Sequence, residues 1–302
     1  MSDKNIKDQS PKKQNILPVK RIAAVHDLSC FGRCALTVIA PALSAMGYQV
    51  IPIPTCLLST HTGGFTDMYF EDMTPQMRAI IDHFEVLGLK FDAIYTGFLG
   101  SEGQISLVGD FIDRFADKDT VVLVDPVMGD DGKLYSTYTT ELMLGMKHLC
   151  EGATVITPNL TEACFLCGSE YVDTSCMSRE ELEGFAGGLC DRLVGLGARK
   201  IVITGMPAAN GELAVYGRDV ESGESCFYCF ARCPKNYPGT GDLFASVFLG
   251  SVMRGDSFDK AIHLAADFTH RVMDFSAEFD TPTRDGVAFE RFLGELSDGK
   301  EA

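Results

Sequence analysis

Residues 236–250 read NYPGTGDLFASVFLG, and one acid, Asp242, stands behind three small residues at the head of an apolar run with helical character. The first turn of a helix carries unpaired N–H groups and a partial positive charge. Glycine lets an anion approach that backbone closely. Gly239, Thr240 and Gly241 could therefore cradle a phosphoryl group, with Asp242 beside it. A carboxylate so placed can accept the proton of a hydroxyl that attacks phosphorus. Taken alone, the same four residues fit equally a first-turn acid favoured by the helix dipole.

Polar residues gather elsewhere at the ends of apolar runs. The chain gives His26-Asp27-Leu28-Ser29, then Ser59-Thr60-His61-Thr62-Gly63-Gly64, then Thr96-Gly97-Phe98. Further on come Asp125-Pro126 with Gly129-Asp130, Thr157-Pro158-Asn159 with Glu162 one turn later, and Thr204-Gly205. A single polar strand end usually caps the next helix; six together point to a pocket. Asp125, Asp130 and Glu162 would repel one another without a cation. They could hold Mg²⁺, directly or through water, against the phosphates of a nucleotide. His61 falls in the pocket segment, whereas His83, His148, His263 and His270 fall on helices as structural or solvated residues. There is no GxxxxGK[ST], no HRD or DFG set and no GxGxxG after the first strand, so the Walker, protein-kinase and dinucleotide routes are absent.

The elements that must position these residues alternate. KRIAAVHD reads as a buried strand, RCALTVIAPALSAMG as a helix stopped by Gly47, and YQVIPIPTCLLS as a second strand whose prolines suit an edge or an irregular stretch. PQMRAIIDHFEVLG is helical, FDAIYTGFLG a strand, and SEGQISLVGDFIDRFAD a helix with Ser101 expected as N-cap. TVVLVDPV is wholly apolar, as in the middle of a parallel sheet. A helix over 138–150, the strand ATVITPN, two helices and the strand RKIVITG follow. GELAVYGRDV and ESCFYCFARC then read as an antiparallel hairpin, and helices are expected over 241–254, 257–278 and 286–296. The expected architecture is one α/β domain over 19–302, after a flexible arm over 1–18, with helices on both faces of a mostly parallel sheet and an antiparallel edge. In such sheets ligands bind outside the carboxyl ends of the strands.

Composition narrows the partners. The 302 residues carry a formal net charge of −16, which disfavours nucleic acid and anionic membranes. Eleven cysteines, mostly in apolar contexts, read as reduced core residues of a cytoplasmic protein. Cys164-x-x-Cys167 and Cys226-x-x-Cys229 suit zinc poorly, since a strand aims residues three apart at opposite faces. The first 18 residues lack the apolar core of a signal peptide, and the apolar stretch 35–46 contains Pro41 and is too short to span a bilayer.

Four segments, LSTHTGGF at 58–65, DPVMGDDGKLY at 125–135, ITPNLTEA at 156–163 and GTGDLFA at 239–245, resemble the ribokinase-like superfamily and, within it, the pyridoxal (pyridoxine, pyridoxamine) kinases. Their order and spacing fit from about residue 20 to 295. The resemblance implies a three-layer α/β/α sandwich and an ATP- and Mg²⁺-dependent kinase acting on the 5′-hydroxyl of a B6 vitamer. It implies Asp242 as base and Gly239, Thr240 and Gly241 as the anion hole. Thr62, Phe98 and Tyr237 would lie around the vitamin, with Asp27, Ser29 and His61 as further substrate-side residues. Asp125, Asn159 and Glu162 would belong to the Mg²⁺–phosphate shell, and Asp125 and Thr157 to a monovalent cation such as K⁺. Asp130 and Tyr135 would sit on a loop over ATP, and Thr204 near its phosphates. A homodimer is implied as well.

The chain departs from that pattern after the first strand. Many pyridoxal kinases have Gln-Ser-His there, against Val25-His26-Asp27-Leu28-Ser29 here. An acid at that place is similar to the hydroxymethylpyrimidine kinases, although their SGGAG is replaced by Ser29-Cys30-Phe31-Gly32-Arg33-Cys34. Two alternatives therefore stand beside a B6 kinase: a kinase for hydroxymethylpyrimidine or another small alcohol, and a catalytically silent ligand-binding protein on the same scaffold.

Overall fold

The computed structural model describes residues 19–297 apart from 136 and 137, so the arm expected over 1–18 lies outside the described residues. The chain opens with β1 (Arg21–Phe31), α1 (Leu36–Ala45), β2 (Gln49–Thr60), β3 (Phe70–Asp72) and α2 (Thr74–Val86). It continues through β4 (Ala93–Thr96), α3 (Glu102–Phe115), β5 (Val121–Val124), β6 (Gly129–Asp130), β7 (Lys133–Leu134) and α4 (Thr140–Glu151). Then come β8 (Val155–Ile156), α5 (Leu160–Leu166), α6 (Arg179–Val194), β9 (Lys200–Ala208), β10 (Glu212–Asp219) and β11 (Ser225–Ala231). The last helices are α7 (Thr240–Arg254), α8 (Phe258–Ala277) and α9 (Leu293–Ser297).

One nine-stranded sheet runs in the order β11-β10-β9-β8-β5-β4-β1-β2-β3. The six strands from β9 to β2 pair in parallel, while β10, β11 and β3 are antiparallel edges. All four side chains of β4, Ala93-Ile94-Tyr95-Thr96, are buried, because a central parallel strand is covered on both faces. One face packs Met77, Phe111, Met146 and Leu189 from α2, α3, α4 and α6. The other packs Ile39, Phe248, Phe268 and Leu296 from α1, α7, α8 and α9. The result is the three-layer α/β/α sandwich with antiparallel edges. No helix among the described residues is long and apolar enough to cross a membrane.

Several local expectations need correcting. The short strands β3, β6 and β7 carry no alternation long enough to read. Ser101 is the N-cap of α3 as expected, in extended geometry, and only its side-chain capping hydrogen bond is missing among the described residues; the nearby Gly100 N–H goes to Gln104 Oε1 at 2.8 Å. The helix expected over 286–296 is a 3₁₀ turn at Phe289–Phe292 followed by the short α9. Val287 and Phe289 are both buried, and residues two apart cannot share one helical face.

Candidate active site

The chain order reverses between β1 and β4, which leads one half outward to β2 and the other to β5. A crevice is expected at such a switch point, beyond the carboxyl ends of the strands. A cavity of about 600 Å³ lies there. Every site residue named from the sequence lines it except Ser29, which is wholly buried behind it.

The mouth of α7 forms one wall. Gly239 is its N-cap with φ 78°, and a Cβ there would lie 2.1 Å from the Arg33 carbonyl oxygen. Only glycine permits both the left-handed backbone and that close approach. Gly241 is different: a Cβ on it would meet nothing within 4 Å, so this part of the turn is open toward the cavity. Thr240 Oγ1 donates to the Tyr237 carbonyl at 3.2 Å and closes the turn.

Asp242 follows in the first turn, its side chain 11% exposed. Its Oδ2 accepts the Ala35 N–H at 2.8 Å and faces the Cys34 thiol at 3.6 Å. Burial raises its pKa from the ordinary 3.8 to about 6, against the lowering pull of those two donors. At neutral pH the group is mostly ionised yet basic enough to take a proton.

Beside it, β1 breaks register between His26 and Leu28, a bulge next to the site. Asp27 is buried there, and Ser29 Oγ donates to its Oδ2 at 2.8 Å. Burial, and then the charge of Asp242, push Asp27 up to about 7; Ser29 opposes this. His61 has both ring nitrogens engaged. Nδ1 accepts the Gly63 N–H at 3.0 Å, so Nε2 carries the proton and donates to the Arg284 carbonyl at 2.6 Å. His61 thereby straps the loop after β2 to the chain beyond α8, and Thr62 and Phe98 complete this side of the cavity.

The acids cluster opposite. Asp125 is pushed well above the carboxylate range by burial and by the charges of Glu162 and Asp242. Glu162 rises to about 8, chiefly through burial. The largest influences on the two groups include no lysine or arginine among the described residues. The Thr157 hydroxyl stands beside Asp125 and favours its ionised form, yet closes no full hydrogen bond. Glu162 also does structural work: Oε1 and Oε2 accept the Met128 and Asn159 N–H groups at 3.0 and 2.8 Å. Asn159 caps α5 in return and donates through Nδ2 to the Gly129 carbonyl at 2.8 Å, bracing the β6–β7 hairpin that carries Asp130 and leads to Tyr135. Among the described residues no three His, Cys, Asp or Glu side chains converge as a closed metal cage. Two repelling acids and one unpaired hydroxyl fit a hard cation that keeps water and phosphate ligands, which is how Mg²⁺ is usually held.

A second cavity of about 240 Å³ adjoins the first. Its lining includes Leu213, Val215, Phe230, Ala266 and Met273, and it shares Asp130, Thr204, Gly205, Tyr237, Thr240 and Gly241 with the larger one. The open turn of α7 therefore stands between the two chambers. His26, Cys34, Ala35, Asn236, Thr283 and Arg284 also line the larger cavity and were not assigned from the sequence. His26 lies in a strand end that sequence reading does flag. Asn236 opens the 236–250 stretch, whereas Cys34, Ala35 and Arg284 have no local signal, since hydrogen bonds across more than 200 positions bring them in.

Fold and site together define a small-molecule kinase of the ribokinase-like kind, a phosphotransferase with an alcohol acceptor. The chain belongs to the phosphomethylpyrimidine kinase family, whose profile matches residues 22–284. Among solved structures it is similar to a protein from Bacteroides thetaiotaomicron, described as a phosphomethylpyrimidine kinase and crystallised with pyridoxal. That likeness has 40% identity, a TM-score of 0.84, and coverage of 92% of this chain and 96% of that one. Pyridoxal kinase from Lactobacillus plantarum is 28% identical with a TM-score of 0.81, over 92% and 96% of the two chains. In sequence, pyridoxal kinase from Arabidopsis thaliana is 30% identical over 231 residues, 74% of this chain and 71% of the relative. These relatives and solved structures support placement with the pyridoxal kinases.

Proposed function

We propose that this protein transfers the γ-phosphoryl group of ATP to the 5′-hydroxymethyl group of a B6 vitamer. The observation that carries the reading is the position of Asp242, a buried carboxyl with a pKa near 6 on the turn that divides the two chambers. The 40%-identical relative crystallised with pyridoxal supports the choice of substrate class.

The residues divide the work as follows. The vitamer occupies the larger chamber between Thr62, Phe98, Asp27 and Tyr237, and the nucleotide base the smaller one. The amides of the Gly239–Gly241 turn face the phosphoryl group in transfer. Asp242 takes the proton of the alcohol; the oxygen's electron pair forms the new O–P bond while the bond from phosphorus to the bridging oxygen breaks, and ADP leaves. Asp125, Glu162 and Thr157 would hold Mg²⁺, which when bound supplies neutralisation of phosphate charge; Asp125 and Thr157 would also serve K⁺. Asp130, Tyr135, Asn159 and Thr204 line the phosphate side. A homodimer belongs to the same proposal.

The test is ATP-dependent phosphorylation of pyridoxal, pyridoxine and pyridoxamine beside hydroxymethylpyrimidine and a sugar. The expected result is the highest kcat/KM on a B6 vitamer. A clear preference for hydroxymethylpyrimidine would shift the reading to that branch of the family. Vitamer binding without ATP consumption would leave only a binding protein.

A further inference from the structure

We infer that His26 is a positioning residue for the base: its imidazole N–H closes onto Asp242 Oδ1 in the loaded enzyme and fixes the carboxylate for the incoming alcohol. This rests on the reading of Asp242 as base. His26 lines the larger cavity, is 0% exposed, and leaves both ring nitrogens without a hydrogen-bond partner. An unsatisfied buried polar group destabilises the fold, so its retention here points to a role. Nδ1 stands 4.0 Å from Asp242 Oδ1. That is about 1 Å beyond a hydrogen bond, and catalytic contacts commonly tighten only when ligands are bound.

The asymmetry at the carboxylate gives this contact a purpose. Oδ2 is held by the Ala35 amide, while Oδ1 accepts no hydrogen bond among the described residues and has His26 Nδ1 4.0 Å away. A second donor on Oδ1 would stop the group from turning about its last torsion. The ring itself is locked. It stands edge-on to Tyr95 at 4.3 Å, and a Cβ at Gly97 would lie 2.4 Å from Nδ1, so only glycine leaves room. Burial, partly offset by the polar backbone of Tyr95, lowers the imidazole to about 3. The pair is therefore a neutral donor beside an acid and not an ion pair. The charge of Asp242 in turn raises its ionisable neighbours Asp27 from β1, Cys34 before α1, Tyr95 from β4 and Asp125 beyond β5.

The experiment compares H26L, H26N and H26Q in the full chain, with kcat and KM measured for vitamer and ATP. Asparagine places an amide N–H near the position of Nδ1, whereas glutamine reaches that of Nε2. H26L and H26Q are expected to lose at least about tenfold in kcat with KM little changed, and H26N to stay within roughly threefold of the unmodified protein. Equal loss in H26N and H26Q, or an unchanged kcat in H26L, would overturn the inference. If H26L does not fold, the comparison of H26N with H26Q decides. D242N separates the two ideas: an active D242N removes the base itself, while an inactive D242N beside an unaffected H26L removes only the role of His26.

Discussion

The Ala35 amide and the Asp242 carboxylate, 207 positions apart in the chain, meet in a 2.8 Å hydrogen bond at the centre of the site. Ala35 delivers that N–H from φ 50°, ψ −130°, a conformation that costs a non-glycine residue about 1–3 kcal/mol. The loop before α1 therefore holds strained backbone at the point where it orients the proposed base. Gly239 belongs to the same contact, since it lets the turn of α7 reach the Arg33 carbonyl.

The two glycines of that turn should respond in opposite ways. G239A forces a positive φ on alanine and drives a Cβ into backbone, so a loss of about 3 kcal/mol in unfolding free energy is expected. G241A meets no protein atom and should leave stability unchanged or raise it by up to about 1 kcal/mol. Yet it should lower kcat at least about 100-fold, because the methyl group projects where the phosphoryl group must approach. Denaturant titration beside initial rates checks both; an active G241A would contradict the anion-hole role.

Much of this site is legible in the sequence because it sits at strand ends. Asp27, Thr62, Phe98, Asp125, Asn159 and Thr204 each follow an apolar run, Asp242 heads one, and parallel strands must open on one edge. Tertiary detail is not legible. Nothing near Arg284 signals that its carbonyl will receive the His61 ring, and nothing near Ala35 signals its bond to Asp242. The β6–β7 hairpin escapes because each strand has only two residues. Glu162 and Asn159 read as ligands of the phosphate shell, and the capping box they form emerges only once α5 is placed.

Acidity should govern activity and stability in opposite senses. The base must be ionised, so kcat/KM should rise with pH through about 6 and then level. For stability the sign reverses. The folded chain keeps the Asp242 proton up to about 6, whereas the unfolded chain releases it near 3.8, so this group's contribution falls as pH rises between those values. D242N should therefore melt higher than the unmodified protein at pH 8, with the difference shrinking toward pH 4. A lower Tm for D242N at pH 8 would contradict the burial of a charged Asp242.

Asp27 offers a carboxyl to the side of the cavity proposed for the vitamer, and no basic group offsets the rise in its pKa. An aminomethyl substituent would supply one. D27N is then expected to lower the preference for pyridoxamine over pyridoxal about tenfold, the usual worth of one charge-assisted hydrogen bond. Competition between the two vitamers measures this directly, and an unchanged ratio would remove Asp27 from ring recognition.

The most direct test of the account measures turnover and binding together in D242N. Phosphorylation should fall by roughly 100- to 10,000-fold, while pyridoxal and nucleotide bind within a few-fold of their affinity for the unmodified protein. A variant that still phosphorylates the vitamer near the normal rate would contradict the claim that this carboxylate removes the alcohol's proton.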